Sequence, residues 1–311
     1  MLVTAIAIAP IFGIIVLGHL LRRGGIPSFE FWNLNDKLVY WVLMPSLLFH
    51  KMSTADFDPS LVGSYAAVVL GAFGAALAAG LILPKLLGYA APVRSSVLQG
   101  AARHNIFIVL AVSERLYGQE GLTLAALGAA MLIPTTNISM VTLMVGMASR
   151  PAGSSVLKAI LKDLARNPLL LAVALGVAWN VAFDGKPAPV IHDIARILGA
   201  ASLPVMLMCV GANLRVRAMG VSIGPLALAT VAKMIVFPAA TIGLALAAGL
   251  SELQTMVALL FGASPTASSA YTLARQLGGD APLMAAIVTL QTAIAFASLP
   301  ATLYLISIYL F

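Results

Sequence analysis

The stretch that decides the fold is "FGASPTASSAYTLARQLGGD", residues 261–280, a polar interruption between two apolar segments. Proline has no backbone N–H, so Pro265 removes one helical hydrogen bond and frees carbonyl groups that precede it. In hydrocarbon those groups must be satisfied by protein, water or ligand. The hydroxyls of Ser264, Thr266 and Ser268 could satisfy some of them. Two interpretations are therefore open: a kink stabilised by hydroxyls, or part of a substrate site.

The composition is that of a membrane protein. Of the 311 residues, 61% are hydrophobic and 9% are charged, whereas a soluble domain averages about 25% charged residues. Ten hydrophobic segments are each near or above the ~20 residues needed to span a bilayer: about 3–21, 34–51, 61–87, 93–117, 121–148, 167–184, 191–212, 222–249, 253–276 and 281–310. The sequence therefore predicts an all-α polytopic membrane protein with ten transmembrane helices.

The basic residues predict the orientation. Of the 18 Lys and Arg residues, Arg103 and Lys233 lie well inside spans, and we count the others with the loops because they lie in loops or within a few residues of a span end. If the N-terminus is outside, four lie in outer loops (Lys51, Arg115, Lys186 and Arg196) and the other twelve in inner loops, which follows the positive-inside rule. The net charge of +7 then reflects topology and anionic membrane lipid, with no nucleic acid as partner. We predict a multi-pass protein of the bacterial inner (plasma) membrane with both termini outside.

The two halves of the chain match each other at an offset of about 159 residues, which predicts an internal repeat. Five spans per half is an odd number, so the second half enters the membrane from the opposite side, as in many secondary transporters. The predicted units are a first five-helix repeat (1–148), a cytoplasmic linker (149–166) and an inverted repeat (167–311). The matches are "PIFGIIVLG" (10–18) with "PLLLAVALG" (168–176), "MPSLLF" (44–49) with "LPVMLM" (203–208), and "RLYGQE" (115–120) with "RQLGGD" (275–280).

Helices 4 and 9 are the predicted broken pair. In inverted repeats the substrate site lies near the midplane, where corresponding helices are broken. Both spans have polar interiors, "GAARHNIFIV" (100–109) and "GASPTASSAY" (262–271), and Asn105 corresponds to Ser264. We therefore expect helices 4 and 9 to cross, and Asn105 to bind substrate together with the stretch 264–268.

Prolines mark further breaks in the predicted spans. Pro45 and Pro204 occupy corresponding places in the second and seventh spans. Because proline lacks a donor and its ring clashes with the preceding turn, each should break or bend its helix. Together with Pro265, these residues are the predicted structural helix breaks.

Two cations lie inside predicted spans. A cation there costs at least ~2.5–3.5 kcal/mol and usually faces a cavity or a partner. Arg103 either faces such a cavity or extends to the inner interface. Lys233 lies near the middle of its span, and by our count no Asp or Glu inside any span can pair with it. It either binds an anionic substrate or takes the structural place of a bound cation.

The remaining polar candidates are weaker, and the motifs of enzymes are missing. Ser46, Asn137 and Gln291 are mid-depth polar residues and candidates for substrate binding, although such residues more often form hydrogen bonds between helices. The sequence contains no HExxH, no zinc-ligand spacing and no Walker loop, and it has one cysteine, Cys209. We therefore predict no enzyme activity, no metal site and no cofactor.

The motifs described above resemble those of the auxin efflux carrier family, which includes plant PIN-FORMED proteins and bacterial malonate and malate carriers. The matching stretches are "APIFGIIVLG", "LMPSLLFHKMS", "RHNIFIVLAVSERLYG", Lys233 with Pro238, and "SPTASSAYTLARQLGGD". The resemblance implies a scaffold domain, a transport domain with crossed broken helices similar to the bile-acid symporter fold, a homodimer and elevator-type movement. Plant members have a proline linked to the asparagine of helix 4. Asn105 is not followed by a proline, so we expect this helix to be bent rather than fully broken.

The sequence thus predicts a secondary active or facilitative transporter of a small organic anion, an auxin- or malonate-like carboxylate, working by alternating access. Arg103 or Lys233 would supply positive potential, helped by half-helix N-termini aimed at the carboxylate. A proton or a sodium ion could be coupled to transport. The alternatives are a sodium-coupled symporter of another organic solute and, with less support, a channel or a sensor.

Overall fold

The computed structural model of the protein describes residues 2–55, 59–148, 166–215 and 221–310, and these ranges contain helices and no β-strand. Two π-helical turns, Val39–Leu43 and Ala232–Val236, join α2 to α3 and α9 to α10. The helices are α1 Leu2–Arg23, α2 Phe29–Leu38, α3 Met44–Ser53, α4 Pro59–Leu86, α5 Ala91–Ala102, α6 Ile106–Met147, α7 Pro168–Phe183, α8 Pro189–Ala212, α9 Ile223–Val231, α10 Phe237–Ala247, α11 Glu252–Ala263, α12 Ser269–Leu277 and α13 Ala281–Tyr309.

Apolar helices long enough to cross a membrane dominate the described residues. Six helical segments qualify by length and composition: Leu2–Arg23, Val62–Leu86, Ala91–Met147, Pro189–Ala212, Ile223–Ala247 and Ala281–Tyr309. The apolar helices Pro168–Phe183 and Glu252–Ala263 are shorter. The chain is therefore an all-helical membrane protein, as its composition predicts, and the number of ten spans stays a prediction.

The longest apolar segment is not one continuous helix. It is interrupted between α5 and α6, and again inside α6 at Gly118, where φ is 61° and ψ is −145°. Only glycine adopts that conformation without strain. The segment is therefore divided into two half-helices and a longer helix, with the second division between the fourth and fifth predicted spans.

Local capping residues fix where several helices begin. The side chains of Asn105, Asn167 and Asp280 each accept a hydrogen bond from a backbone N–H of the first turn of α6, α7 and α13. Ser251 and Gln254 form a reciprocal capping box at the start of α11. Because such caps satisfy donors that would otherwise lack partners, they stabilise helix ends inside an apolar protein.

In two pairs of helices, a glycine lets the backbones of the two helices come into direct contact. A Cβ atom placed on Gly18 of α1 would lie 2.0 Å from the carbonyl oxygen of Met208 in α8. A Cβ atom on Gly176 of α7 would lie 2.9 Å from the carbonyl oxygen of Phe49 in α3. Glycine at these points lets the helices approach closely, as in many membrane helix pairs. The pairs α1–α8 and α3–α7 thus form tightly packed units.

The remaining helices surround the two interruptions. Gly100 of α5 packs against Ile287 of α13 and Ala229 of α9, at 2.8 and 3.0 Å from where its Cβ would be. The half-helices α5 and α11 each have 12 residues and are buried along most of their length. This packing holds both broken helices in the interior of the protein.

The structure differs from our expectation at two of the predicted proline breaks. Helix α8 is continuous through Pro204, and Pro45 lies in the first turn of α3, directly after the π-helical turn. The π-helical turn directly before Pro45 is a local adjustment of the kind that satisfies backbone groups freed by a proline. Inside a membrane helix, packed neighbours can compensate for the lost hydrogen bond. Pro265 does lie in a non-helical segment, between α11 and α12.

The fourth predicted span is fully interrupted, although we expected a bend. Arg103 and Asn105 have extended backbone conformations, with ψ angles of 145° and 94°. Asn105 Oδ1 accepts hydrogen bonds from the N–H groups of Phe107 and Ile108. The asparagine cap therefore starts a new helix without a proline at this point.

Candidate functional site

Buried hydrogen bonds join the two helix interruptions, the one after α5 and the one after α11. Thr266 Oγ1 lies 2.7 Å from Gln291 Oε1 and 3.1 Å from the carbonyl oxygen of Gly100. Gln291 Nε2 donates to that same carbonyl at 2.9 Å, and Gln291 Oε1 accepts from the N–H of Thr266 at 3.0 Å. Both side chains are fully buried. A hydrogen-bond network between α13, the end of α5 and the segment 264–268 thus holds the crossing together.

Lys233 is bound to the end of a half-helix. Its Nζ donates to the carbonyl oxygen of Phe261 at 3.0 Å and lies 4.3 Å from the ring centroid of Phe237. Ser264 Oγ donates to the same carbonyl at 3.2 Å. Phe261 is in the last turn of α11, where carbonyls lack helical donors and the helix dipole is negative. Lys233 thus occupies a place where a bound cation would also be stable.

A half-open cavity of about 660 Å³ lies beside the crossing. Its lining combines polar side chains of the interruption with charged residues from helix ends. Five basic side chains and one carboxylate line it: Arg22, Lys37, Arg103, Arg215, Arg275 and Asp36. The cavity therefore attracts anions.

Arg103 is the cation at the interruption itself. Its guanidinium Nη2 donates a hydrogen bond to Ser269 Oγ, in the first turn of α12, at 3.2 Å. The described residues contain a single ion pair, between the exposed side chains of Arg196 and Asp193, so no described carboxylate neutralises Arg103. Ser268 Oγ is buried beside it and makes no hydrogen bond within the described ranges. These groups can receive an anionic ligand.

Further polar groups line the same cavity. Asn105 and Asn137 lie on its wall, and Thr136 Oγ1 is buried there without a hydrogen bond to any described residue. The guanidinium of Arg215 lies 4.1 Å from the ring centroid of Tyr271 in a cation–π contact. The wall thus offers neutral hydrogen-bonding groups as well as charge.

The residues predicted from sequence fall into two groups. Four of them line the cavity: Arg103, Asn105, Asn137 and Ser268. Six are not part of its lining: Ser46, Lys233, Ser264, Pro265, Thr266 and Gln291. Ser46 Oγ donates to the carbonyl of Val42 in its own helical run.

Sequence reasoning missed most of the charged lining. Arg22, Lys37, Arg215 and Arg275 entered our prediction only as loop charges that set the topology. Asp36 lies in α2 and lines the cavity, but it was not among our predicted site residues. The position of Asp36 within the second apolar segment was the signal that could have found it.

Two hydrogen bonds join helices at residues that do not line the cavity. Arg115 Nε of α6 donates to the carbonyl oxygen of Ala7 in α1 at 3.2 Å. Lys51 Nζ, in α3, forms a hydrogen bond with Gln119 Oε1 of α6. These contacts lie at the ends of α1 and α3 that are remote from the basic mouth of the cavity.

Two interrupted helices that meet beside a basic cavity in an all-helical membrane protein are features of membrane transporters. The family model described as membrane transport protein matches residues 3–304. The chain therefore belongs to that family, the auxin efflux carrier family, and the resemblance found in its motifs is confirmed.

Two relatives match over nearly the full chain. A protein of Rhizobium meliloti named "Putative malonate transporter" is 26% identical over 320 residues, covering 96% of this chain and 94% of its own length. A protein of Methanothermobacter thermautotrophicus named "Uncharacterized transporter" is 23% identical over 295 residues, covering 92% and 93%. Both names are those of transporters.

Replacing Lys233 with methionine separates the two interpretations of this lysine. The variant keeps the volume of the side chain but removes a donor from Phe261, so we expect a loss of about 1–3 kcal/mol in unfolding free energy. Because Lys233 does not line the cavity, the affinity of the folded variant for an anion that binds in the cavity should stay within about threefold of wild type, a change below 1 kcal/mol. Thermal melting and equilibrium binding in detergent measure both. A large loss of affinity without loss of stability would make Lys233 a substrate ligand.

Proposed function

We propose that the protein is a secondary active or facilitative transporter of a small organic anion, a carboxylate of malonate or auxin type. The observation that carries the proposal is Arg103: a cation at the crossing of two interrupted helices, lining the cavity, with no carboxylate partner among the described residues. A cation in that position normally pairs with an acid or with a ligand. The name of the Rhizobium meliloti relative supports a dicarboxylate as the first substrate to test.

The anion site is composed of Arg103 and the start of α12. Ser268 and Ser269 precede and begin that helix, and its first turn has no side-chain cap. The N-terminus of a helix carries partial positive charge and unpaired N–H donors, which favour a carboxylate. Arg103 adds a planar guanidinium that suits bidentate carboxylate binding. Asn105, Asn137 and Thr136 would then contact the rest of the substrate.

Ten transmembrane helices in two inverted repeats are the architecture that we propose, and three correspondences support it. Gly18 and Gly176 occupy equal places in the two aligned halves, and both pack against backbone of the other half. The half-helices α5 and α11 have equal lengths. They end at Arg103 and Ser264 with nearly equal dihedral angles, −68° and 145° against −70° and 149°. The repeats would be 1–148 and 167–311. The linker 149–166 lies, except for Arg166, outside the described residues.

Elevator-type alternating access is the mechanism that we propose. The pairs α1–α8 and α3–α7 would form a scaffold domain, and the helices around the crossing would move against it as a transport domain. The hydrogen bonds of Arg115 to α1 and of Lys51 to α6 would close one side, and the cavity would open on the other. Such one-sided opening would be expected of a carrier and not of an open channel. We further propose a homodimer in the bacterial inner membrane with both termini outside.

Sodium coupling is the weaker alternative. Carbonyls at the end of a broken helix are typical sodium ligands in secondary transporters. Here the ammonium group of Lys233 donates to Phe261 in that position. The lysine therefore supplies a fixed positive charge where a symporter would bind its ion.

Uptake by proteoliposomes tests the proposed function. Purified protein reconstituted into liposomes should take up labelled malonate in a saturable manner, and unlabelled dicarboxylates should compete, with or without sodium. Protein-free liposomes are the control. Electrical conductance without saturation would contradict a carrier, and a lack of binding and uptake across a panel of mono- and dicarboxylates would contradict the organic-anion assignment.

A further inference from the structure

Asp36 is the one carboxylate that lines the cavity among the residues described. Its Oδ2 accepts a hydrogen bond from Asn213 Nδ2 at 2.8 Å, and Asn213 Oδ1 accepts one from Arg22 NH1 at 2.9 Å. Asp36 Oδ1 is buried and accepts no hydrogen bond from the described part of the chain. The carboxylate thus reaches Arg22 through the amide of Asn213, without a direct ion pair.

The surroundings of this carboxylate are basic on every side. Arg22 of α1 interacts electrostatically with the carboxylate, and the Cys209 thiol of α8 forms a hydrogen bond with it. Lys37 and Tyr40 are its neighbours along the chain. The same cavity is lined on its other walls by Arg103, His104, Arg215 and Arg275. Among the described residues that line the cavity, Asp36 is therefore the single negative charge within a cluster of positive ones.

An anionic substrate and the Asp36 carboxylate compete for the same positive potential. When a proton binds to Asp36, one negative charge leaves the cavity, and the five basic residues remain to attract the substrate. By linkage, a proton that raises substrate affinity must itself be held more tightly once the substrate is bound. Proton and anion binding then favour each other, which is the condition for symport.

We propose that Asp36 binds the proton that is cotransported with the organic anion. The proposal rests on the proposed function, because it requires an anion in the cavity. The proton comes from the aqueous phase at the cavity mouth, protonates the carboxylate, and returns to solution when the anion leaves. The hydrogen bond from Asn213 fixes the carboxylate at the wall, where it responds to the bound charge and does not contact the substrate.

Asp36→Asn is the variant that tests the proposal, with Glu30→Gln as its matched control. Glu30 is an exposed acid in the same helix and is not part of the cavity lining. We expect wild type and the Glu30→Gln variant to lose malonate affinity, roughly tenfold, between mildly acidic and mildly alkaline pH. The Asp36→Asn variant should keep the high affinity across that range. An unchanged pH dependence in Asp36→Asn would overturn the proposal and would assign the proton to another group, such as His104.

A measurement on the wild-type protein keeps the test independent of variant folding. Malonate is added to weakly buffered protein at a pH where the ligand is fully ionised, and a pH indicator follows the proton. We expect net proton uptake that saturates together with malonate binding. Binding without proton uptake would overturn the role of Asp36 and leave the transporter assignment standing. If wild type bound no carboxylate at any pH, the proposed function itself would fail.

Discussion

Replacing Arg103 with glutamine should lower malonate uptake about 100-fold. Glutamine keeps a polar side chain, although a shorter one, and removes the charge where the two interrupted helices meet. The guanidinium makes one described hydrogen bond, to Ser269 Oγ, so most of its donors are available to a ligand. Losing a charge-assisted, bidentate contact in a partly buried site costs several kcal/mol of binding. The loss should therefore appear in the malonate affinity as well as in uptake.

Two further variants make the Arg103 experiment specific. Arg103→Lys keeps the charge but loses the planar guanidinium with its several N–H donors. Malonate uptake by this variant should therefore fall between that of wild type and that of the glutamine variant. Arg196→Gln removes an arginine that pairs with Asp193 on the exposed surface and should transport like wild type. Melting temperatures in detergent establish that all variants are folded. If folded Arg103→Gln protein took up malonate at the wild-type rate, Arg103 would not be the anion-binding residue.

The positions of the helix interruptions were predictable because helix breaking is a local property. The lack of an N–H at Pro265 and the capping chemistry of Asn105 act within one turn of the chain. Both interruptions lie within the stretches that the polarity of the sequence indicates. The full break before α6 was missed because we treated proline as necessary, whereas the Asn105 cap is sufficient.

The lining of the cavity was less predictable because it depends on tertiary packing. Thr266 and Gln291 are polar residues at mid-depth, as expected of ligand contacts, yet they satisfy each other across 25 residues of sequence. Lys233 finds its partner Phe261 in another helix. No local pattern distinguishes a polar residue bound to protein from one that faces a cavity, and only the assembled helices decide it.

Helix-end charges were the other gap between sequence and structure. Arg22, Arg215 and Arg275 each follow an apolar run, and the positive-inside rule alone accounts for such residues. The interrupted helices bring them to the mouth of one cavity. These arginines line the cavity only because helix ends that are distant in sequence come together in the fold. Composition and spacing do not indicate such tertiary contacts.

Replacing Gly18 with alanine should destabilise the protein by about 1–3 kcal/mol or more. The added methyl group would lie 2.0 Å from the carbonyl oxygen of Met208. Because that obstacle is backbone, α1 and α8 would have to separate along their whole contact to relieve it. Gly13→Ala is the matched control: it lies in the same helix, and a Cβ there meets nothing within 4 Å. Thermal unfolding in detergent should show a large loss for Gly18→Ala and none for Gly13→Ala.

The same experiment at Gly176 tests whether the two halves share one architecture. In the aligned repeats Gly176 occupies the place of Gly18, and its Cβ would lie 2.7 Å from Met52 Cβ and 2.9 Å from the carbonyl oxygen of Phe49. Gly176→Ala should therefore also destabilise the protein, by a smaller amount because the approach is less close. Since neither glycine lines the cavity, the fraction that remains folded should bind malonate as wild type does. Equal melting temperatures for all three alanine variants would refute close α1–α8 and α3–α7 packing as the basis of scaffold stability.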